Sequence, residues 1–365
     1  MVARVSHERT RAAIAESLWH RTARMRFAAG AVGLLVLLMS GSALAQGSGT
    51  PGSGSFGSGE SKARADRIDE DLIGTPRDIR TLPRAPTLPD LTHRSPELSG
   101  ESTVASVTPL VAQPSGERER LTLHLFHFDC ELPIVPWLYG GAEWGFAAAR
   151  GPTESATRLV PGQPQLFARA VHSFSHERYS VGAGLGLLPP VFTYDDRADA
   201  ARLEGATASS LVGVVRPWDL STFLDRRFTT RPWIDLRVSF RRFVVQLRQG
   251  IDVNFRTGAA PCTTGACDKS GDFQLLSATT LYLGWQPTHE VALGIEAWEV
   301  FLLKTRQTLA DRDRSVLALS PSIRFFYRWV EPAVSVLFPV GSPLMNAADG
   351  YFALRIDMRV WLGGK

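Results

Sequence analysis

The chain has 365 residues, with 40 Lys+Arg against 36 Asp+Glu and 44% apolar residues, and its mean hydropathy is −0.04. The net charge of +4 lies wholly in residues 1–45, where Arg4, Arg9, Arg11, Arg21, Arg24 and Arg26 outnumber Glu8 and Glu16, so the remainder is formally neutral. That excludes the basic nucleic-acid-binding surface that a pI near 9.1 would otherwise suggest.

Arg24 and Arg26 precede the apolar stretch AVGLLVLLMSGSALA (31–45), which ends in a small-x-small pattern at Ala43 and Ala45. Basic region, apolar region and cleavage pattern in that order predict a signal peptide over 1–45. Met25 alone opens a complete one, so it is the expected true start. The stretch is too short for a spanning helix. No Cys follows the cleavage point, which argues against a lipid anchor.

Residues 46–118 read as a flexible linker. GSGTPGSGSFGSG (47–59) is low-complexity, and the polar run that follows, with LPRAPTLPDL and SPELSGES inside it, offers nothing to build a core. Such a spacer could tether an envelope partner, although no motif names one.

From residue 119 onward the period is two. Ile234, Leu236, Val238 and Phe240 alternate with Asp235, Arg237, Ser239 and Arg241. Leu354, Ile356, Met358 and Val360 alternate with Arg355, Asp357, Arg359 and Trp361. Strict alternation over about ten residues is the mark of a strand between two unlike environments. Twelve such segments are predicted: 121–129, 137–149, 165–175, 178–188, 206–216, 231–241, 243–256, 272–286, 290–304, 315–329, 330–340 and 350–362. They exceed the usual globular strand of about five or six residues and match the roughly nine to eleven that a tilted strand needs to cross a bilayer. In the second half, tight connections alternate with long ones, as in outer-membrane barrels. Trp285, Tyr327 and Trp329 fall beside the tight turns, as interface aromatics do.

On these features the chain resembles the Gram-negative outer-membrane β-barrel proteins over about residues 120–362. The resemblance implies an all-β, antiparallel transmembrane barrel of about 12 strands (10–14). It further implies outer-membrane localisation, contact with lipid and with the outer-membrane assembly machinery, and no cofactor. The C-terminus departs from the family habit of ending on an aromatic residue, since LeuGlyGlyLys follows Trp361. The competing fold is a secreted β-sandwich with the Arg-bearing face in water.

Charges at the lipid face cost a few kcal/mol each at the midplane. The charged faces are therefore expected to line the lumen: Asp235, Arg237, Arg241, Arg248, Asp252, Glu296, Arg324, Arg328, Arg355, Asp357 and Arg359. Seven positive against four negative charges point to a narrow pore for small polar or anionic solutes, or to a salt-bridged filling that leaves a structural, surface-interacting barrel. Cys262 and Cys267, in PCTTGAC, are expected to form a disulfide within a long loop. Cys130 reads as an ordinary strand residue. A barrel hydrolase or protease would need a Ser–His pair. In HSFSH (172–176), however, the strand period puts Ser173 and Ser175 opposite His172 and His176. With no HExxH and no phosphate loop, the expectation is a non-enzyme without a metal site.

Overall fold

The computed structural model describes residues 82–91, 95–109, 121–150, 158–174, 178–192, 215–224, 226–257, 262–263, 266–267, 273–304, 314–327, 329–340 and 348–362. The expected signal peptide and residues 46–81 of the expected linker lie outside them.

Twelve described strands form the barrel. They are β1 (Glu97–Pro109), β2 (Leu121–Val135), β3 (Leu138–Arg150), β4 (Gln165–Phe174), β5 (Tyr179–Leu188), β6 (Arg227–Phe240), β7 (Phe243–Arg256), β8 (Phe273–Trp285), β9 (Val291–Lys304), β10 (Ser315–Phe325), β11 (Val330–Pro339) and β12 (Ala348–Trp361). Each pairs antiparallel with its neighbours, and β1 pairs with both β2 and β12, so the sheet closes on itself. Closure leaves no unpaired edge at the depth where lipid offers no hydrogen bonds. A short segment, Arg158–Pro161, adds to the upper part of β3.

Eleven of the twelve expected segments coincide with strands to within a few residues, apart from Leu121–Val135, which runs six residues further than expected. Two differences cancel in the count. The segment assigned to the linker contains β1, so the barrel begins at Glu97 rather than near 119. The expected strand 206–216 lies mostly outside the described residues. Its last two positions, Val215 and Arg216, lead into a 3-10 turn, Pro217–Phe223, and β5 pairs directly with β6. With β1 first, every odd-to-even connection is long, the longest being 189–226 between β5 and β6, and every even-to-odd one is tight. The short connection 175–178, between β4 and β5, belongs to the tight set. Both described ends of the wall, Glu97 and Trp361, pair with each other at the tight-turn end.

The outer face is apolar: Ile234, Val245, Ile251, Leu283, Leu293, Leu354, Ile356 and Met358 are all exposed. Trp285, Tyr327 and Trp329 are exposed at the tight-turn end, joined by Trp137, Phe240, Phe243 and Phe325. Trp285 stacks on Phe243 with ring centroids 6.4 Å apart. Cys130 is a free thiol, half-buried on the outer side of β2.

Placing proline in β1 tests whether this segment is wall or linker. Val104 points outward, so Val104→Pro removes a ladder donor without disturbing the lumen. The expected result is loss of the fast-migrating, unheated species on a denaturing gel. A variant that still shows it would mean that 97–109 is not part of the closed wall.

Candidate functional site

The lumen follows from the alternation, because every second residue on each strand must point inward. Asp235, Arg237, Glu296, Arg324, Arg355, Asp357, Arg359 and Asp252 are buried there, and Arg248 is partly so. They are paired. Arg248 makes two bonds to Asp235, of 2.8 and 2.9 Å, across the β6–β7 register. Arg324 meets Asp357 at 2.8 Å, and Arg355 meets Glu296 at 2.9 Å. Arg241 is a correction. It stands on the tight turn between β6 and β7 with φ of 54°, exposed and over the Phe240 ring, because the strand ends one residue before the alternation does. Arg328 lies outside the described residues.

Two inserts occupy the bore, and neither is a strand. The first is residues 82–91, the LPRAPTLPDL run, which precedes β1 and so comes in from the tight-turn end. Arg84 bonds Glu331 at 3.0 Å and Asp90 at 3.0 Å. Arg237 meets Asp90 at 2.6 Å. The Thr87 backbone N–H and hydroxyl both donate to Glu296. Leu82, Ala85 and Leu88 pack with Val244 and Tyr282, and Leu91 packs with Tyr139 and Val171.

The second insert is 215–223, from the long connection at the other end. Val215 and Phe223 seat in an inward apolar belt that includes Val107, Leu123, Leu125, Val160 and Leu337. Trp218 stacks on Trp298 at 4.3 Å, with the Arg355 guanidinium over both rings. Arg216 reaches Glu101 at 3.0 Å, and Asp219 accepts from Arg231 at 2.9 Å. Burial pushes the Asp219 carboxyl up, but Arg231 and Arg216 outweigh that and hold it below its ordinary value.

Between the inserts lies a cavity of about 110 Å³, room for several waters or a small solute. Its walls carry Glu97, Glu101, Asp129, Glu131, Glu143, Asp219, Asp252 and Asp357, eight carboxylates, against five guanidinium groups, Arg169, Arg216, Arg231, Arg248 and Arg359. The surplus of basic groups expected from the sequence is therefore absent at this cavity, where acidic side chains outnumber basic ones. Asp129 and Glu143 sit on segments read as strands, where they alternate with Phe128 and Trp144, while Glu131 lies beyond the expected strand end at 129. Asp129 and Glu143 are direct cross-strand partners, and Asp129 Oδ1 is buried without a hydrogen-bond partner. Like charges directly opposite repel.

No group of His, Cys, Asp and Glu suited to a metal ion occurs among the described residues. His172 faces outward, with its ring 4.3 Å from that of Phe174, while the Ser173 hydroxyl faces inward to Ser180 at 3.0 Å. His172 and Ser173 thus point to opposite faces and form no pair; Ser175 and His176 lie outside the described residues. Cys262 and Cys267 face each other in backbone register within a two-stranded ribbon. Peptide mapping without reductant should recover 262 and 267 in one cross-linked fragment, and separate free-thiol peptides would refute the disulfide.

The Asp235–Arg248 pair gives a stability test. A buried ion pair contributes little net, yet removing one partner strands the other at a cost of about 3–5 kcal/mol. Asp235→Ala should lower the urea midpoint of unfolding, and adding Arg248→Met should restore most of it. A double variant no better than the single one would mean that the loss is packing alone.

No protein-family model matches the chain, and no curated protein matches it. Solved structures do. An outer-membrane channel from Pseudomonas putida F1 aligns with a TM-score of 0.51 and 11% identity over 75% of this chain and 99% of that one. The NanC porin aligns at 0.45 and 7% identity, covering 73% and 100%, and the translocator domain of the autotransporter NalP from Neisseria meningitidis at 0.36 and 11%, covering 82% and 95%. The chain has the fold of the Gram-negative outer-membrane β-barrels, an all-β antiparallel barrel closed by twelve strands.

Proposed function

We propose that this barrel is a narrow, non-catalytic channel for small polar solutes that prefers cations, with its tight turns on the periplasmic side. The observation that carries the reading is the small cavity at mid-lumen with its surplus of acidic side chains, above all the adjacent pair Asp129 and Glu143. A ring of acidic side chains lowers the energy of a cation in a narrow bore and raises that of an anion. A mobile cation between Asp129 and Glu143 also relieves their mutual repulsion. The anionic preference suggested by the strand sequences counted seven arginines against four acids; that count included Arg241, which stands on a turn, and left out the acids of β1 to β3.

A second reading is a passive barrel that presents its long loops at the surface. The two inserts favour it, since both ends of the bore are filled. Planar-bilayer recording separates the two. Under a KCl gradient the full-length protein should show brief openings whose reversal potential favours K⁺. Asp129→Asn combined with Glu143→Gln should shift that potential toward zero. Anion-favouring openings would refute the cation preference, and folded protein that never conducts, with or without residues 82–91, would leave the passive barrel.

A further inference from the structure

We propose that the tight-turn half of the lumen is a binding site for an extended, proline-rich peptide. Residues 82–91 are its resident and releasable ligand, so this segment gates the bore. The gating half rests on the channel reading above; the peptide site stands on its own geometry.

The wall does not need the segment in order to exist. The hydrogen-bond ladder runs unbroken from β1 round to β12, and residues 82–91 add no strand or helix to it. What the wall supplies is a set of donors. Arg359 Nη2 donates to the carbonyls of Ala85, Pro86 and Leu88 at 2.8, 3.1 and 3.0 Å. Gln246 donates to Pro89 O at 3.0 Å, and Arg169 donates to Asp90 O at 2.7 Å. The ligand is matched to that. Pro83, Pro86 and Pro89 recur every third residue, so three backbone N–H groups that would need acceptors inside the lumen are missing while their carbonyls remain. Proline at that spacing also favours the extended conformation before binding, which lowers the ordering cost.

The wall is also recessed where the segment lies. A Cβ on Gly284 would come within 2.5 Å of Pro83 Cβ, and one on Gly182 within 3.2 Å of Leu91 Cδ2. The end residues are held by charge: Arg84 by Glu331, Asp90 by Arg237. Ion pairs and carbonyl contacts of this kind roughly break even against hydration when water can replace them. The apolar contacts of Leu82, Ala85, Leu88 and Leu91 fall in two small clusters and not in one continuous core, so a segment held by them together with exchangeable polar contacts, in a lumen that floods once it is vacated, can leave and return.

The test uses the full-length chain with residues 82–91 replaced by a Gly/Ser segment of equal length, its folding checked by heat-modifiability. A fluorescent peptide of sequence LPRAPTLPDL should bind this variant saturably, at least tenfold more tightly than the unaltered chain, whose site is filled. Adding Arg359→Ala should weaken binding about tenfold or more, and a scrambled peptide should not bind. The variant should conduct more than the unaltered chain, and the peptide added on the tight-turn side should block it. Folded variant that does not bind the peptide overturns the site. Binding without any conductance, open or blocked, overturns the gate and the channel reading together while retaining the site. If the replaced chain does not fold, Pro83→Cys with Gly284→Cys in a Cys130→Ser background provides the lock. Oxidation should cross-link the segment and abolish openings that return on reduction. Openings unchanged by the cross-link overturn the gate.

Discussion

The structure depends on one constraint: a backbone placed in lipid must satisfy all of its hydrogen bonds within the protein. A closed sheet does so only if its first and last strands meet, and here they are β1 and β12, paired from Glu97↔Trp361 to Val107↔Tyr351. That seam fixes the positions of both described chain ends. It brings residues 82–91 to the mouth of the bore at the tight-turn end, immediately before β1. The insert is therefore a consequence of where the barrel closes.

Closure also sets the chemistry inside. Twelve strands enclose a bore too wide for the wall's own side chains to fill unaided, and the charges that cannot face lipid must all face it. The chain meets the resulting demand for partners by layers. Near the long loops an apolar belt takes up Val215 and Phe223. At mid-lumen, carboxylates and guanidinium groups surround a small cavity. Toward the tight turns, Arg237, Arg359 and Glu331 hold the proline-rich segment. Both inserts combine apolar packing with ion pairs, but only the proline-rich one presents a row of backbone carbonyls to wall donors, and this makes it the better candidate for movement.

Much of this was legible in the sequence where the cause is local. Alternation is a property of neighbouring residues, so β6, β7 and β12 and the burial of Asp235, Arg237, Arg355, Asp357 and Arg359 followed from reading every second position. The exposure of Trp285, Tyr327 and Trp329 at the tight-turn end followed from their place beside turns. β1 did not, because its outward face is Leu98, Gly100, Ser102, Val104 and Ser106, too weakly apolar to stand out from a polar linker. Its neighbours β2 and β12 supply the hydrogen bonds that make it a strand. Of the expected strand 206–216 only Val215 and Arg216 lie among the described residues, and Val215 packs inside the barrel; an apolar side chain does not state which side of a wall it will meet.

The sequence by itself determined the architecture: an all-β chain with long two-faced strands, tight turns marked by aromatics, and charges gathered on one face. These are set by period and composition, which need no knowledge of distant residues. Only the tertiary structure decided the seam, the two inserts and which acidic and basic side chains meet at mid-lumen. Each of those depends on contacts between residues far apart in the chain, such as Asp90 with Arg237, Glu101 with Arg216 and Thr87 with Glu296. A local pattern fixes which way a side chain points. What it meets there is fixed only when the sheet closes.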